Sequence, residues 1–248
     1  MHKLTLAVCP HDTAENPERW FLFAQFLSRH LDEARIEFRP VDGFAAFRET
    51  MPAADLVYAN PQDGHELCTH YGYRLLARPG NRFDEVVIIA DWEAPEAGLA
   101  AIHGSTVATV PELLPTCQAL EQLAEIGARP AAFLPCDSWL AVVNSVARGQ
   151  APFGFVYRDF FDGLGRFSQR MVRVVDRGDT QVLQHAIVLS PAAEPHRRAF
   201  SALLGRMHED EQGRECLDAL SISRWETPRE AMLEHVGQLR AGCRLESA

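Results

Sequence analysis

The sequence predicts an α/β fold made of two similar halves. Three observations predict it: strand and helix signals alternate up to Trp92, the alternation restarts after it, and the tail beyond residue 190 carries helical stripes. Residues 4–8 (LTLAV) are a short, mostly apolar run that suits a buried strand, and residues 9–15 read as a loop. Asn16, Pro17 and Glu18 start a helix. They supply a side-chain cap, a proline whose missing N–H costs nothing in the first turn, and an acid at the positive end of the helix dipole. Trp20, Ala24, Leu27 and Leu31 then recur every three or four residues, the stripe of a helix packed on a sheet. Residues 36–41 give a second strand, 43–51 a short helix and 54–59 a third strand. Asn60-Pro61 repeats the cap-plus-proline signal and opens another helix, and residues 73–77 and 86–90 are further strands. Strands alternating with helices imply a parallel sheet with right-handed crossovers.

In the second half, residues 93–98 read as a connector and 99–104 lead into a strand at 106–110. Thr116 is placed to cap a helix carrying Leu120, Leu123 and Ala124, ended by Gly127. Residues 132–134 are a strand, after which Asp137 or Ser138 caps a helix with Leu140, Val143 and Ala147, ended by Gly149. Strands follow at 153–157, 171–175 and 186–189. In the tail, Phe200, Leu203, Leu204 and Met207 form one helical stripe. Thr227-Pro228-Arg229-Glu230 has capping-box spacing before Met232, Val236 and Leu239.

Composition narrows the function classes. With 47% apolar residues in 248, the chain can bury a sizeable core. It carries 24 basic against 34 acidic residues, a net charge of −10, which repels nucleic acid and anionic lipid. Any anion must therefore be held by a local feature such as a helix N-terminus. The six cysteines have no zinc-finger or CxxC spacing, so free thiols in a reducing compartment are expected. No run approaches the roughly 20 apolar residues that span a bilayer, and none near the N-terminus suits a signal peptide. The expectation is no membrane insertion and a cytoplasmic protein as written, or a periplasmic one if a leader has been removed.

In open α/β sheets ligands bind beyond the carboxyl ends of the strands. Residues 9–16, 58–63, 110–117 and 134–139 occupy such positions. There is no GxSxG, P-loop, GxGxxG or HExxH motif, so no catalytic residue, cofactor or metal is assigned. His65, Cys68 and His70 have spacings of a helix surface rather than a metal site. Cys9, Cys117 and Cys136 each follow a strand and are expected near one another, able with His11 or His185 to hold a soft metal or act in redox chemistry, against plain buried thiols. Trp20, Trp92 and Trp225 are expected in the core. Trp139 opens a helix and, with Tyr58 and Tyr157, offers a ligand a flat apolar face.

The order of certain stretches resembles the phosphonate-binding family of solute-binding proteins, which have the two-lobed type II periplasmic-binding fold. The stretches are 6–10 (LAVCP), 54–61 (ADLVYANP), 72–78 (GYRLLAR), 99–104 (LAAIHG), 148–156 (RGQAPFGFV) and 185–191 (HAIVLSP). The resemblance implies a ligand cleft between a discontinuous lobe, 1–92 plus 186–248, and a continuous one, 93–185. It places Tyr58 on a cleft-lining tyrosine, His11 and Asp12 on the first cleft loop, Tyr157 and Asp159 on the acidic side of the second lobe, and Asp137 and Ser138 on a polar helix opening. The family's anion site is a Ser-Thr-Ser-like run opening the first helix of lobe two. Here that run is 110–117 (VPELLPTC), which keeps Thr116 and adds Glu112.

The expected function is therefore binding of a small polar ligand, with contacts from His11, Asp12, Tyr58, Asn60, Thr116, Ser138 and Tyr157. A transporter or signalling protein is the expected partner. An enzyme using cleft His and Cys groups is the alternative.

Overall fold

The computed structural model describes residues 2–13, 16–94, 98–111 and 113–243. Glu15, residues 95–97 of the expected connector and Glu112 lie outside them. In chain order the elements are β1 (His2–Val8), α1 (Pro10–Thr13), α2 (Glu18–His30), β2 (Ala34–Phe38), α3 (Gly43–Thr50), β3 (Leu56–Ala59), α4 (Pro61–His70), β4 (Arg74–Pro79) and β5 (Val86–Ala90). There follow β6 (Thr106–Thr109), α5 (Leu114–Glu125), β7 (Ala132–Pro135), α6 (Trp139–Ala147), β8 (Phe153–Tyr157), α7 (Arg158–Gly163), α8 (Arg166–Gln169) and β9 (Arg173–Arg177). The last are β10 (Ala186–Leu189), α9 (Arg197–Arg206), α10 (Glu211–Ala219), β11 (Trp225–Glu226) and α11 (Ala231–Gly242).

The chain divides into two units, Met1–Phe83 with Gln184–Leu233, and Asp84–Leu183 with Glu234–Ala248. These boundaries differ from those read off the sequence. β5 pairs with β8 and β9, so it belongs to the second unit, and the chain crosses before it rather than near residue 93. The end of the tail also goes with the second unit.

The first unit holds a six-stranded sheet in the order β11-β4-β10-β3-β1-β2. β2, β1 and β3 are parallel, as the alternation predicts. β10 and β11 run antiparallel to their neighbours, so the sheet is mixed. Asn16 Oδ1 accepts the Glu18 N–H at 3.1 Å, but α2 begins at Glu18 with Pro17, not Asn16, at its cap position. Trp20, Ala24, Leu27 and Leu31 all enter a core with Leu6, Phe200 and Leu217. Fully burying a Leu- or Phe-sized side chain contributes about 1.5 to 3 kcal/mol, so this stripe fixes α2 on the sheet.

The second unit holds a five-stranded sheet in the order β7-β6-β8-β5-β9. β5 is apolar at every position because both its faces are covered. Val86, Ile88 and Ala90 enter one core with Leu123 of α5, while Val87 and Ile89 enter another with Val142 and Val146 of α6. Gly154 of β8 lets α6 approach, since a Cβ there would lie 2.8 Å from Val142 and Val146. Gly127 and Gly149 follow α5 and α6 at φ 70° and 68°, the left-handed conformation that closes a helix.

Just before β5, Glu85 is fully buried and fastens three segments. Its carboxyl oxygens accept from Gln118 Nε2 at 2.9 Å, Thr180 Oγ1 at 3.1 Å and the Gln181 N–H at 2.6 Å. Glu85→Ala leaves those donors without their acceptor and should lower stability by about 2 to 3 kcal/mol. Thermal unfolding tests this, and an unchanged midpoint would refute the role.

Three further expectations fail. Cys117 is bonded to Cys243, 126 residues away, so the thiols are not all free. Trp92 is 63% exposed, whereas Trp139 is buried in the α6 core and offers no open face.

Candidate functional site

The topology gathers the expected ligand residues of each unit at one sheet edge. In the first unit β1, β3 and β4 point the same way and β10 runs oppositely. The carboxyl ends of β1, β3 and β4 therefore meet the beginning of β10. His11 and Asp12 follow β1, Tyr58 and Asn60 end β3, Arg82 follows β4, and His185 precedes β10.

Asp12 organises this edge. It is 4% exposed, with Arg82 Nη1 at 3.1 Å from one oxygen and His185 Nδ1 at 3.1 Å from the other. Its backbone carbonyl accepts from Arg19 and from Trp20 Nε1. Burial pushes the Asp12 carboxyl upward, but His185 and Arg82 outweigh it and hold it below the usual carboxylate range. The His185 ring lies 5.2 Å from that of Tyr58, which is buried against Trp20 at 4.7 Å. Tyr58 is thus packed within its unit rather than presented as an open face. Asn60 caps α4, its Oδ1 accepting the Asp63 N–H at 2.9 Å, and its Nδ2 reaches Cys9 Sγ at 3.6 Å. The His11 ring packs edge-on to Phe44 at 4.7 Å.

In the second unit β7, β6 and β8 are parallel neighbours and β5 runs against β8. Ser138, Thr116 and Tyr157 follow or end the parallel strands, and Asp84 precedes β5 at the same edge. Tyr157 Oη donates to Asp84 Oδ1 at 3.1 Å, with Asp159 Oδ2 at 3.5 Å. Ser138 caps α6, accepting the Ala141 N–H at 3.2 Å.

Thr116 does not cap α5, as the sequence suggested. The helix begins two residues earlier at Leu114, and Leu113 at the cap position supplies no side-chain hydrogen bond. Thr116 is fully buried, and its hydroxyl donates to the Val110 carbonyl at 2.8 Å and lies 2.6 Å from Thr109 Oγ1. The N–H groups of Thr116 and Cys117 fold back on the Leu113 carbonyl at 3.0 and 3.2 Å. Pro115 has no N–H. The first turn of α5 therefore retains few of the donors that make a helix N-terminus an anion site.

The three-thiol site is not formed. Cys117 is spent in its disulfide, and Cys136 contacts the Leu134 carbonyl and Ser145 Oγ. Burial pushes the Cys9 thiol up to about 12, so it stays protonated, unlike a metal ligand or nucleophile. Among the described residues no group of three or more His, Cys, Asp or Glu could hold a metal. Arg82 and Asp84 escaped the sequence reading because neither stands in a recognisable motif; only the reversal of β10 and β5 brings them to these edges.

A family model described as the periplasmic substrate-binding protein of ABC phosphonate transporters matches residues 6–233. The chain belongs to the phosphonate-binding family. Solved structures share its type II periplasmic-binding fold. A Xanthomonas citri protein, XAC2383, solved with chloride, is 16% identical with a TM-score of 0.72, the alignment covering 97% of each chain. PhnD1 from Prochlorococcus marinus, in complex with methylphosphonate, is 14% identical at 0.70, with 96% of each chain covered. The aliphatic sulphonate-binding protein SsuA of Escherichia coli is 12% identical at 0.68, covering 97% of this chain and 91% of its own. No curated protein sequence matches the chain. As a phosphonate-binding family member it is a small-ligand solute-binding protein. Among the described residues no helix is long and apolar enough to cross a membrane.

Proposed function

We propose that this protein binds a small polar ligand carrying less charge than a phosphonate dianion and serves an ABC transporter in the periplasm. The two units act as the two lobes of the binding fold. His11, Asp12, Asn60, Ser138 and Tyr157 lie at their carboxyl edges. Thr116 and Tyr58, buried as they are, shape those edges from behind. The Cys117–Cys243 disulfide supports an oxidising compartment, where such bonds persist.

The observation that carries the ligand class is the first turn of α5. A phosphonate needs several hydroxyl and N–H donors on three oxygens, because each unpaired oxygen loses hydration without return. Leu113, Leu114 and Pro115 supply no such side chain, and the Thr116 hydroxyl is committed to Val110. The paired Asp84 and Tyr157 add an acid to the same edge. Phosphate and simple alkylphosphonates are expected to bind with a Kd of about 100 μM or weaker, no more than about 5.5 kcal/mol. Isothermal titration with methylphosphonate tests this, and a low-micromolar Kd would overturn the assignment of ligand class.

A further inference from the structure

One surface of the second unit has the character of a protein interface. Trp92 is 63% exposed, Phe167 81% and Met171 37%. Trp92 follows β5, and its Nε1 donates to the Arg170 carbonyl at 3.3 Å. Arg170 closes the turn of α8, its N–H bonding to the Arg166 and Phe167 carbonyls, and Met171 continues that turn. Trp92 thus adjoins Arg170, and Arg166, Phe167 and Met171 lie within one turn of Arg170, with Arg166 and Arg170 also exposed.

The charge of this segment is opposite to that of the protein. The chain carries −10, yet residues 163–175 contain three arginines and no acid, with Arg173 the third. Asp91 and Glu93 flank Trp92, so the positive side of the patch is that of α8. Exposed Trp, Phe, Met and Arg are the residue types enriched at interface cores over the rest of a protein surface. Single exposed apolar residues are commonplace, but here three lie close in the fold to the exposed Arg166 and Arg170. Nothing in the ligand-binding edges requires them.

We propose that this patch docks a partner protein segment bearing apolar side chains among carboxylates. The arginines fit the carboxylates and speed encounter, and the aromatic rings supply the desolvated centre. The proposal is independent of the ligand's class.

The probe is a labelled twelve-residue peptide alternating Glu with Leu and Trp, titrated onto the full chain by fluorescence anisotropy, beside a Lys counterpart. The Glu peptide should bind and weaken with salt, and the Lys peptide should not bind. Affinity should fall at least tenfold in Arg166→Glu/Arg170→Glu and in Phe167→Ala, with thermal midpoints unchanged. A control with the same charge change elsewhere, Arg39→Glu/Arg206→Glu, should keep the affinity within about twofold. Absent binding, equal binding of both peptides, or an equal loss in the control would overturn the proposal. So would a dimer in sedimentation that Phe167→Ala dissociates, which would make the occupant a second copy. Binding to phosphatidylglycerol vesicles through the same residues, without peptide binding, would replace it with a membrane surface.

Discussion

Reducing the Cys117–Cys243 bond, or replacing both residues with serine, should lower unfolding stability by about 5 kcal/mol on the loop-closure account of cross-linking. The reason is the length of chain it closes, a sequence separation of 126 residues, whose freedom in the unfolded state the bond removes. It joins the first turn of α5 to the residue after α11. Urea unfolding of oxidised protein, reduced protein and Cys117→Ser/Cys243→Ser should give one high midpoint and two matching lower ones. Thiol titration in denaturant should find four groups before reduction and all six after it. Equal midpoints for all three would remove the stabilising role. Six thiols before reduction would remove the bond itself.

Asp12→Ala should cost about 1.5 to 3 kcal/mol, because it removes a buried carboxylate acceptor while Arg82, its side chain 29% exposed, regains water. Arg82 and His185 each lie 3.1 Å from its carboxylate, and His185 is itself 6% exposed. The same group sets an acid-sensitive term. The native Asp12 carboxyl titrates below its unfolded value, so in the unfolded state it takes up a proton first as pH falls. Its contribution is fully present above the unfolded value of about 4 and fades as pH drops from there through the lower folded value. Urea midpoints measured from pH 7 to pH 3 should fall for the wild type, with a shallower fall in Asp12→Asn. Parallel curves would show that Asp12 carries none of the acid sensitivity.

Much of this fold is legible in the sequence, and the misreadings have physical causes. Caps are local chemistry, so Asn60 and Ser138 are identifiable from their own neighbours and make the bonds expected. Sheet membership is not local. The run at 86–90 announces burial on both faces, but only its register with β8, Val86 opposite Tyr157, assigns it to the second unit. Cys117 and Cys243 lie too far apart for spacing to suggest a bond. Thr116 has the residue type of a cap, yet Leu114 and Pro115 already satisfy the helix start before it, and its hydroxyl turns inward. At the carboxyl edge of the first sheet, the loop after β1 and the end of β3 are readable because parallel strands send their carboxyl ends the same way. His185 stands in no motif that singles it out. Its partnership with Asp12 depends on β10 running backwards between β3 and β4.

That insertion of β10 governs the order in which the molecule can be made. As the chain leaves the ribosome, β4 is finished early but has no strand to join, because its neighbours are β10 and β11. All five strands of the second sheet are synthesised before β10 appears. The first unit therefore waits, with an incomplete sheet and exposed Leu76 and Ala77, until residues 186–189 arrive and the β4–β10 pairing closes. Non-local pairings of this kind are slow, and their unpaired edges are what chaperones cover. In pulse-labelled hydrogen exchange during refolding of the whole protein, the amides of β5 and β8 should gain protection before those of β4 and β10. Simultaneous protection would show that the long sequence separation between β4 and β10 does not delay their pairing.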